Sequence, residues 1–267
     1  MAQYSAAAYC MGNNDSPDTP ITCLKASCPM VEEAGAVTVS EFQNTTAADN
    51  TGFLAVDETN RLIVLSFRGS KSKANWHYNY KIIRIRTELC PKCKIHHGFW
   101  KAWFEIRETV KPQVLRLMEA YPDFRFAITG HSLGGALAIL AAGDLRKTNE
   151  DLGRRTELYS FGAPRVGNEA TAEFLSRQSN QSYRITNRRD MIPRLPPWIF
   201  GYVNTSPEYY ISKHYENPGP EDIWIFDGYL NHAGNSGTGD LFFGARKHHL
   251  YFTKDIAACS PKKDHSG

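Results

Sequence analysis

Residues 126–140 read FAITGHSLGGALAIL, a β-prone apolar run interrupted by a histidine, a serine and three glycines that then resumes as a small-residue helix. Gly130-His131-Ser132-Leu133-Gly134 fits G-x-S-x-G in the context that gives the pattern meaning, directly after a strand and directly before a helix. So tight a turn forces the serine into strained backbone, and glycines are needed because side chains there strike the neighbouring strand and helix. Ser132 Oγ then projects above a sheet beside the positive end of the following helix, while the Leu133 N–H points where an oxyanion would form. Ser132 is the candidate nucleophile; His131, next to it, is expected to point away.

The surrounding pattern supplies that sheet. TGFLAVD and RLIVLSFRG are β-rich runs around the turn residues ETN, which reads as a hairpin. Phe99, Trp103, Ile106, Val110, Val114 and Leu117 recur at intervals of three and four, so a helix is expected to end near Tyr121-Pro122, kinked or loosened at Pro112. RFAIT, TELYSFG, SYRIT and DIWIFD are further strands, with GGALAILAAGDLR and NEATAEFLSRQ as helices among them. Strands alternating with helices predict an α/β fold with a mostly parallel central sheet and helices on both faces.

At 267 residues and 42% hydrophobic, the chain is expected to form a single domain spanning 1–267. Its longest apolar runs fall well short of the roughly 18 to 20 residues that cross a bilayer, and none reads as a signal h-region. Met1 directly before AQYSAAAYC reads as a start codon placed ahead of a processed N-terminus. A net charge of +3 without a basic stripe or binding motif argues against a nucleic-acid partner. The even set of six cysteines, Cys10, Cys23, Cys28, Cys90, Cys93 and Cys259, reads as disulfides in a secreted protein. The CPKC pair at Cys90 also fits a thioredoxin-like redox pair or half a zinc site, but it lies in a polar loop and not at a helix start after a strand. Four Asn-x-Ser/Thr sequons, at Asn14, Asn44, Asn180 and Asn204, agree with export.

A serine hydroxyl is a weak nucleophile and needs a base with an acid to orient it; in sheets with this elbow the chain order is Ser, then Asp, then His. Asp190 follows SYRIT in a loop at a strand's end, where parallel-sheet sites collect, with Asp227 and Asp240 as fallbacks. His249 opens HLYF ten residues before Cys259 and is the expected base; His248 is its near rival.

From about Ala2 to Cys259 the motifs AQYSAAAYC, LIVLSFRGS, TGHSLGGALA, FGAPRVGN, YRIT, IPRLPP and HLYF follow one another in the order seen in one family. The chain resembles the secreted class 3 lipases of filamentous fungi, those of the Thermomyces lanuginosus type in particular. The resemblance implies an α/β-hydrolase fold, a Ser132, Asp190, His249 triad, and an oxyanion hole from Leu133 N–H and Ser70. It also implies the pairings Cys10 with Cys259, Cys23 with Cys28 and Cys90 with Cys93. The first closes so long a loop that the chain-entropy model gives it roughly 3 to 5 kcal/mol. No metal or organic cofactor is required.

The family's lid follows the oxyanion serine, which here places it at about 71–81 with Trp76 at the lid tryptophan's position. Lys73, His77 and Tyr80 make this lid more polar than that of the resembling lipase, a feature shared with feruloyl esterases on the same scaffold. In the other direction, MIPRLPPWIFGY sets Ile192, Leu195 and Trp198 beside the acid as candidate substrate-binding residues, and Leu241, Phe242 and Phe243 lie near the histidine. The expected activity is triacylglycerol hydrolysis at a lipid–water interface through an acyl-enzyme, with no obligate protein partner and an extracellular location. Feruloyl esterase, phospholipase A1 or galactolipase, and a catalytically silent lipid-binding protein are the alternatives.

Overall fold

The computed structural model describes residues 1–14, 16–43, 50–70, 82–188, 190–213, 218–237, 248–253 and 255–260. The expected lid with Trp76, the fallback Asp240, and Leu241, Phe242 and Phe243 lie outside the described residues.

Eight strands form the central sheet in the order β1-β2-β3-β6-β7-β8-β9-β10: β1 (Val37–Phe42), β2 (Gly52–Asp57), β3 (Leu62–Phe67), β6 (Arg125–His131), β7 (Thr156–Phe161), β8 (Ser182–Asn187), β9 (Glu208–Ile211) and β10 (Ile223–Phe226). β1, β2 and β3 meander antiparallel, β3, β6, β7, β8 and β9 are parallel, and β10 closes the far edge antiparallel to β9. β4 (Arg84–Arg86) and β5 (Lys94–His96) make a separate two-stranded ribbon. The β2–β3 hairpin and the strands at 125, 156, 182 and 223 match the sequence expectation. β1, the ribbon and β9 lie outside that expectation: β1 alternates apolar and polar over Val37-Thr38-Val39-Ser40, whereas the ribbon strands and β9, three and four residues long, are too short to carry a pattern.

Every residue of β2 and β3 is buried, which is what a strand covered on both faces requires and why LIVLSF is apolar almost throughout. The helices are α1 (Ala2–Ala7), α2 (Pro29–Glu33), α3 (His97–Ala120), α4 (Leu133–Leu145), α5 (Glu150–Arg155) and α6 (Glu169–Arg177). α3 lays Phe99, Trp103, Ile106, Val110 and Val114 into the main core, beside Phe67, Phe126 and Leu137. It runs through Pro112 without a break. Pro112 and Glu108, whose carbonyl loses its partner there, both face solvent, so water replaces the missing bond. α4 is buried on all sides except at Asp144, because a helix of Ala, Gly, Leu and Ile can approach the sheet closely.

The parallel strands all end on one side of the sheet. Their C-termini, Phe67, His131, Phe161 and Asn187, lead into the segments that hold Ser70, Ser132, Pro164 and Asp190. Three disulfides join Cys10 to Cys259, Cys23 to Cys28 and Cys90 to Cys93.

Candidate active site

Ser132 stands between β6 and α4 with φ 58° and ψ −127°, a left-handed backbone that a residue with a Cβ adopts only under constraint. The constraint is steric. A Cβ on Gly130 would overlap the Gly134 carbonyl and one on Gly134 would overlap the Phe67 carbonyl, so both must be glycine for the turn to fit between strand and helix. The Ser132 N–H donates to Phe161 O at 2.9 Å, and its carbonyl accepts from Gly135 and Ala136, which starts the helix. Leu133 is the first residue of α4, so its N–H has no intrahelical partner. Gly69 packs so closely on the elbow that a Cβ there would meet the His131 carbonyl and lie 3.1 Å from Ser132 Cβ, which brings Ser70 beside the nucleophile.

Asp190 is 1% exposed yet fully satisfied. Its Oδ1 accepts from Ile192 N–H at 2.9 Å, and its Oδ2 accepts from Tyr251 OH at 2.5 Å and from His248 Nδ1 at 2.8 Å. Tyr251 is buried and also accepts from Asn187 N–H; burial, with the adjacent Asp190 carboxylate, pushes its phenol well above the ordinary value, so it stays a donor. Asn187 Nδ2 donates to Leu250 O and Asn235 Nδ2 to both Asn187 O and Asp190 O, which stitches the acid loop to the histidine segment.

The histidine that meets the acid is therefore His248, and the expectation for His249 is corrected. His249 turns the other way, its Nδ1 3.1 Å from Asp255 Oδ1. Consecutive residues in a turn project in different directions, and the distance to Cys259 on which His249 was chosen fixes position along the chain, not orientation. Tyr251, three residues after His248, was also missed; a tyrosine in HHLYF carries no local mark of its role. Asp227 lies past the edge strand β10 and takes no part in these contacts.

His131 does point away from the serine, and it has work there. Its Nε2 is 2.7 Å from His248 O and its Nδ1 is 2.8 Å from Tyr9 OH. A carbonyl only accepts, so Nε2 carries the proton and Nδ1 accepts from the tyrosine. Burial, then the neighbouring His248 and His249, hold the His131 imidazole well below its usual value, so it is neutral. The His131 and His248 rings lie 4.4 Å apart, which ties the elbow to the histidine's own backbone. His248 Nε2 is buried without a partner among the described residues; it is not hydrogen-bonded to Ser132.

Beside the serine runs a largely apolar groove lined by Ser70, Ile82, Phe99, Ser132, Leu133, Pro164, Ile192, Leu195, Pro196 and Pro197. Ile192 and Leu195 are where the sequence put them. Trp198 is not: it stands on a 3-10 turn, Trp198–Phe200, ended by a left-handed Gly201, and is 55% exposed outside the groove. The two prolines fix the chain on the groove wall and the turn after them carries the indole outward. Buried Arg165 holds this wall by donating to Arg194 O at 2.7 Å and to Pro196 O at 3.1 Å, and burial lowers its guanidinium to about 10.

The family model described as lipase (class 3) matches residues 64–200, the stretch from β3 through the elbow to the groove wall. This chain belongs to the class 3 lipases. The lipase is 37% identical over 266 residues to a secreted mono- and diacylglycerol lipase of Fusarium solani, covering 97% of this chain and 76% of that protein. Among solved structures, the mono- and diacylglycerol lipase from Aspergillus oryzae superposes with a TM-score of 0.89 at 38% identity, covering 97% of this chain and 96% of the other. The triacylglyceride lipase of Rhizomucor miehei gives 0.82 at 28% identity, covering 97% and 94%. The fold is thus that of the α/β-hydrolase lipases, and the lipase is a carboxylic ester hydrolase.

Proposed function

We propose that this lipase hydrolyses acylglycerols through an acyl-enzyme on Ser132, with His248 as base, Asp190 as its orienting acid, and Ser70 with Leu133 N–H as the oxyanion hole. The observation that carries this reading is the buried Asp190–His248 pair at 2.8 Å on the same side of the sheet as the strained serine. His248 Nε2 takes the Ser132 proton as Oγ attacks the ester carbonyl, and the oxyanion develops toward Ser70 and the helix N-terminus. The C–O bond to the glycerol oxygen breaks as His248 returns the proton to it. Water, deprotonated by the same nitrogen, then attacks the acyl carbon and Ser132 leaves protonated.

The enzyme meets a lipid surface through the rim of its groove. Trp198, Ile199 and Phe200 are 55%, 67% and 44% exposed, and Ile83 on the neighbouring segment is 55% exposed. Arg84 joins the two segments by donating to Gly201 O at 2.6 Å. Bulky apolar side chains with two aromatics among them, at the mouth of an apolar groove, suit insertion at a lipid–water boundary. Triacylglycerol is the substrate expected from the sequence, and the names of the Fusarium and Aspergillus relatives add mono- and diacylglycerols. Three disulfides and relatives named as secreted support an extracellular enzyme, and no described helix is long and apolar enough to cross a membrane.

The test compares initial rates on emulsified tri-, di- and monoacylglycerol of one acyl chain and on soluble methyl ferulate, with Ser132→Ala as blank. Fast, serine-dependent turnover of an acylglycerol is expected. Ferulate turnover exceeding all three would overturn the substrate assignment, and activity surviving in Ser132→Ala would overturn the mechanism.

A further inference from the structure

Of the four sequons, the structure separates three by what the asparagine amide is doing. Asn14 is buried and its Nδ2 donates to Ala8 O at 3.2 Å and Cys10 O at 2.9 Å, which uses both of its N–H bonds. Asn204 is buried and its Nδ2 donates to Pro193 O at 3.3 Å, behind the groove wall. Asn180 is exposed, in the bend between α6 and β8, and its side chain makes no hydrogen bond among the described residues. Asn44 lies outside them.

We infer that Asn180 is a site of N-linked glycosylation and that Asn14 and Asn204 are not. In that reaction Nδ2 of the acceptor attacks the anomeric carbon of an oligosaccharide carried on a lipid diphosphate. An N–C bond forms, the C–O bond to the diphosphate breaks, and Nδ2 loses one proton. Attachment precedes folding, so each acceptor must still reach its native position with a bulky hydrophilic group in place of one N–H. At Asn14 that group would occupy the space of the α1 terminus and remove a buried hydrogen bond, and at Asn204 it would have to fit into the buried space beside the Pro193 backbone. At Asn180 it meets only water, flanked by exposed Arg177 and Gln181.

The topology gives the site a further property. Asn180 precedes the first residue of β8, whereas Asp190 follows its last, and the six residues of the strand span about 20 Å at the usual strand rise. The glycan therefore sits at the N-terminal end of the parallel strands, at the pole opposite the groove and the exposed Trp198 turn. A hydrated group there leaves substrate access unobstructed and keeps the rear of the molecule in water while the front meets lipid.

This inference rests on the extracellular reading, and the experiment separates the two. The full chain is produced behind a secretion leader in a eukaryotic host, the absence of free thiols is checked, and enzymatic deglycosylation in ¹⁸O water followed by peptide mapping reports each former attachment site as a labelled aspartate. Label at Asn180, none at Asn14 or Asn204, and unchanged specific activity in Asn180→Gln with the Asn180 label gone are expected. An unlabelled Asn180 in thiol-free protein, or label at Asn14 or Asn204 in active enzyme, overturns the assignment. Because the leader routes the chain through the secretory pathway in any case, that failure leaves the extracellular reading standing. The latter fails separately if the native organism retains the enzyme inside the cell.

Discussion

His248 and His249 are neighbours with the same side chain, and each has a carboxylate at hydrogen-bonding distance, 2.8 Å for Asp190 and 3.1 Å for Asp255. What differs is the enclosure. The Asp190 carboxylate is out of water, with Tyr251 and the Ile192 N–H completing its shell, while the Asp255 side chain is 46% exposed and its partner His249 35%. A buried pair loses little to solvent and holds one geometry, whereas an exposed pair is screened and contributes little. On the proposed mechanism it is enclosure at the end of the parallel strands, and not pairing alone, that suits the Asp190–His248 pair to catalysis.

The strongest challenge to that contrast is to remove each ring in turn. His248→Ala is expected to lower kcat by about 10⁴-fold or more, and His249→Ala by less than about tenfold, measured on a soluble short-chain ester. Equal losses would return His249 to the triad. Asp190→Asn should cost about 10⁴-fold in kcat because the tautomer is lost, whereas Asp255→Asn should leave KM and kcat within a few-fold. Tyr251→Phe removes one buried donor from the carboxylate, for which a loss of about 1 to 3 kcal/mol in denaturant unfolding is expected, with a kcat deficit smaller than that of Asp190→Asn.

A weaker effect tests the other side of His248. Below about pH 6.5 the unfolded chain protonates His131, and the native state, with its depressed value, does not. Stability should therefore fall as pH drops through 6.5 and continue to fall until the native value is reached, by at most about 1.4 kcal/mol per pH unit from this group. The thermal midpoint of His131→Gln, lower overall, should show a shallower slope in that window than the parent. Parallel slopes would mean that His131 is protonated in the native state and that Nδ1 donates to Tyr9 OH instead of accepting from it.

The elbow was legible because its constraint is local. Gly130 and Gly134 are required by collisions within a few residues, and strand, turn and helix all appear in one short stretch. The place of Asp190, at the end of a parallel strand and facing a histidine later in the chain, was legible from chain order and from its position after β8. The choice between His248 and His249 was not, since it depends on Tyr251, Leu250 and Asn187 meeting across more than sixty residues of chain. One mark was available: Asp255, six residues after His249, offers it a competing partner within the same turn. Trp198 misled for a related reason. Apolar character beside the acid is equally compatible with a groove wall and with its outer rim, and only the direction of the turn after Pro197 distinguishes them.

The backbone of Ser132 has a last consequence, for evolution and for engineering alike. Its φ of 58° suits glycine, so the proposed nucleophile is also a residue at which the fold is under local tension. Ser132→Gly should relax a penalty of about 1 to 3 kcal/mol, partly offset by glycine's greater freedom in the unfolded chain. Selection for heat resistance without selection for turnover would thus have a direct route to an inert protein. A thermostability screen on this scaffold should carry an activity assay at every round.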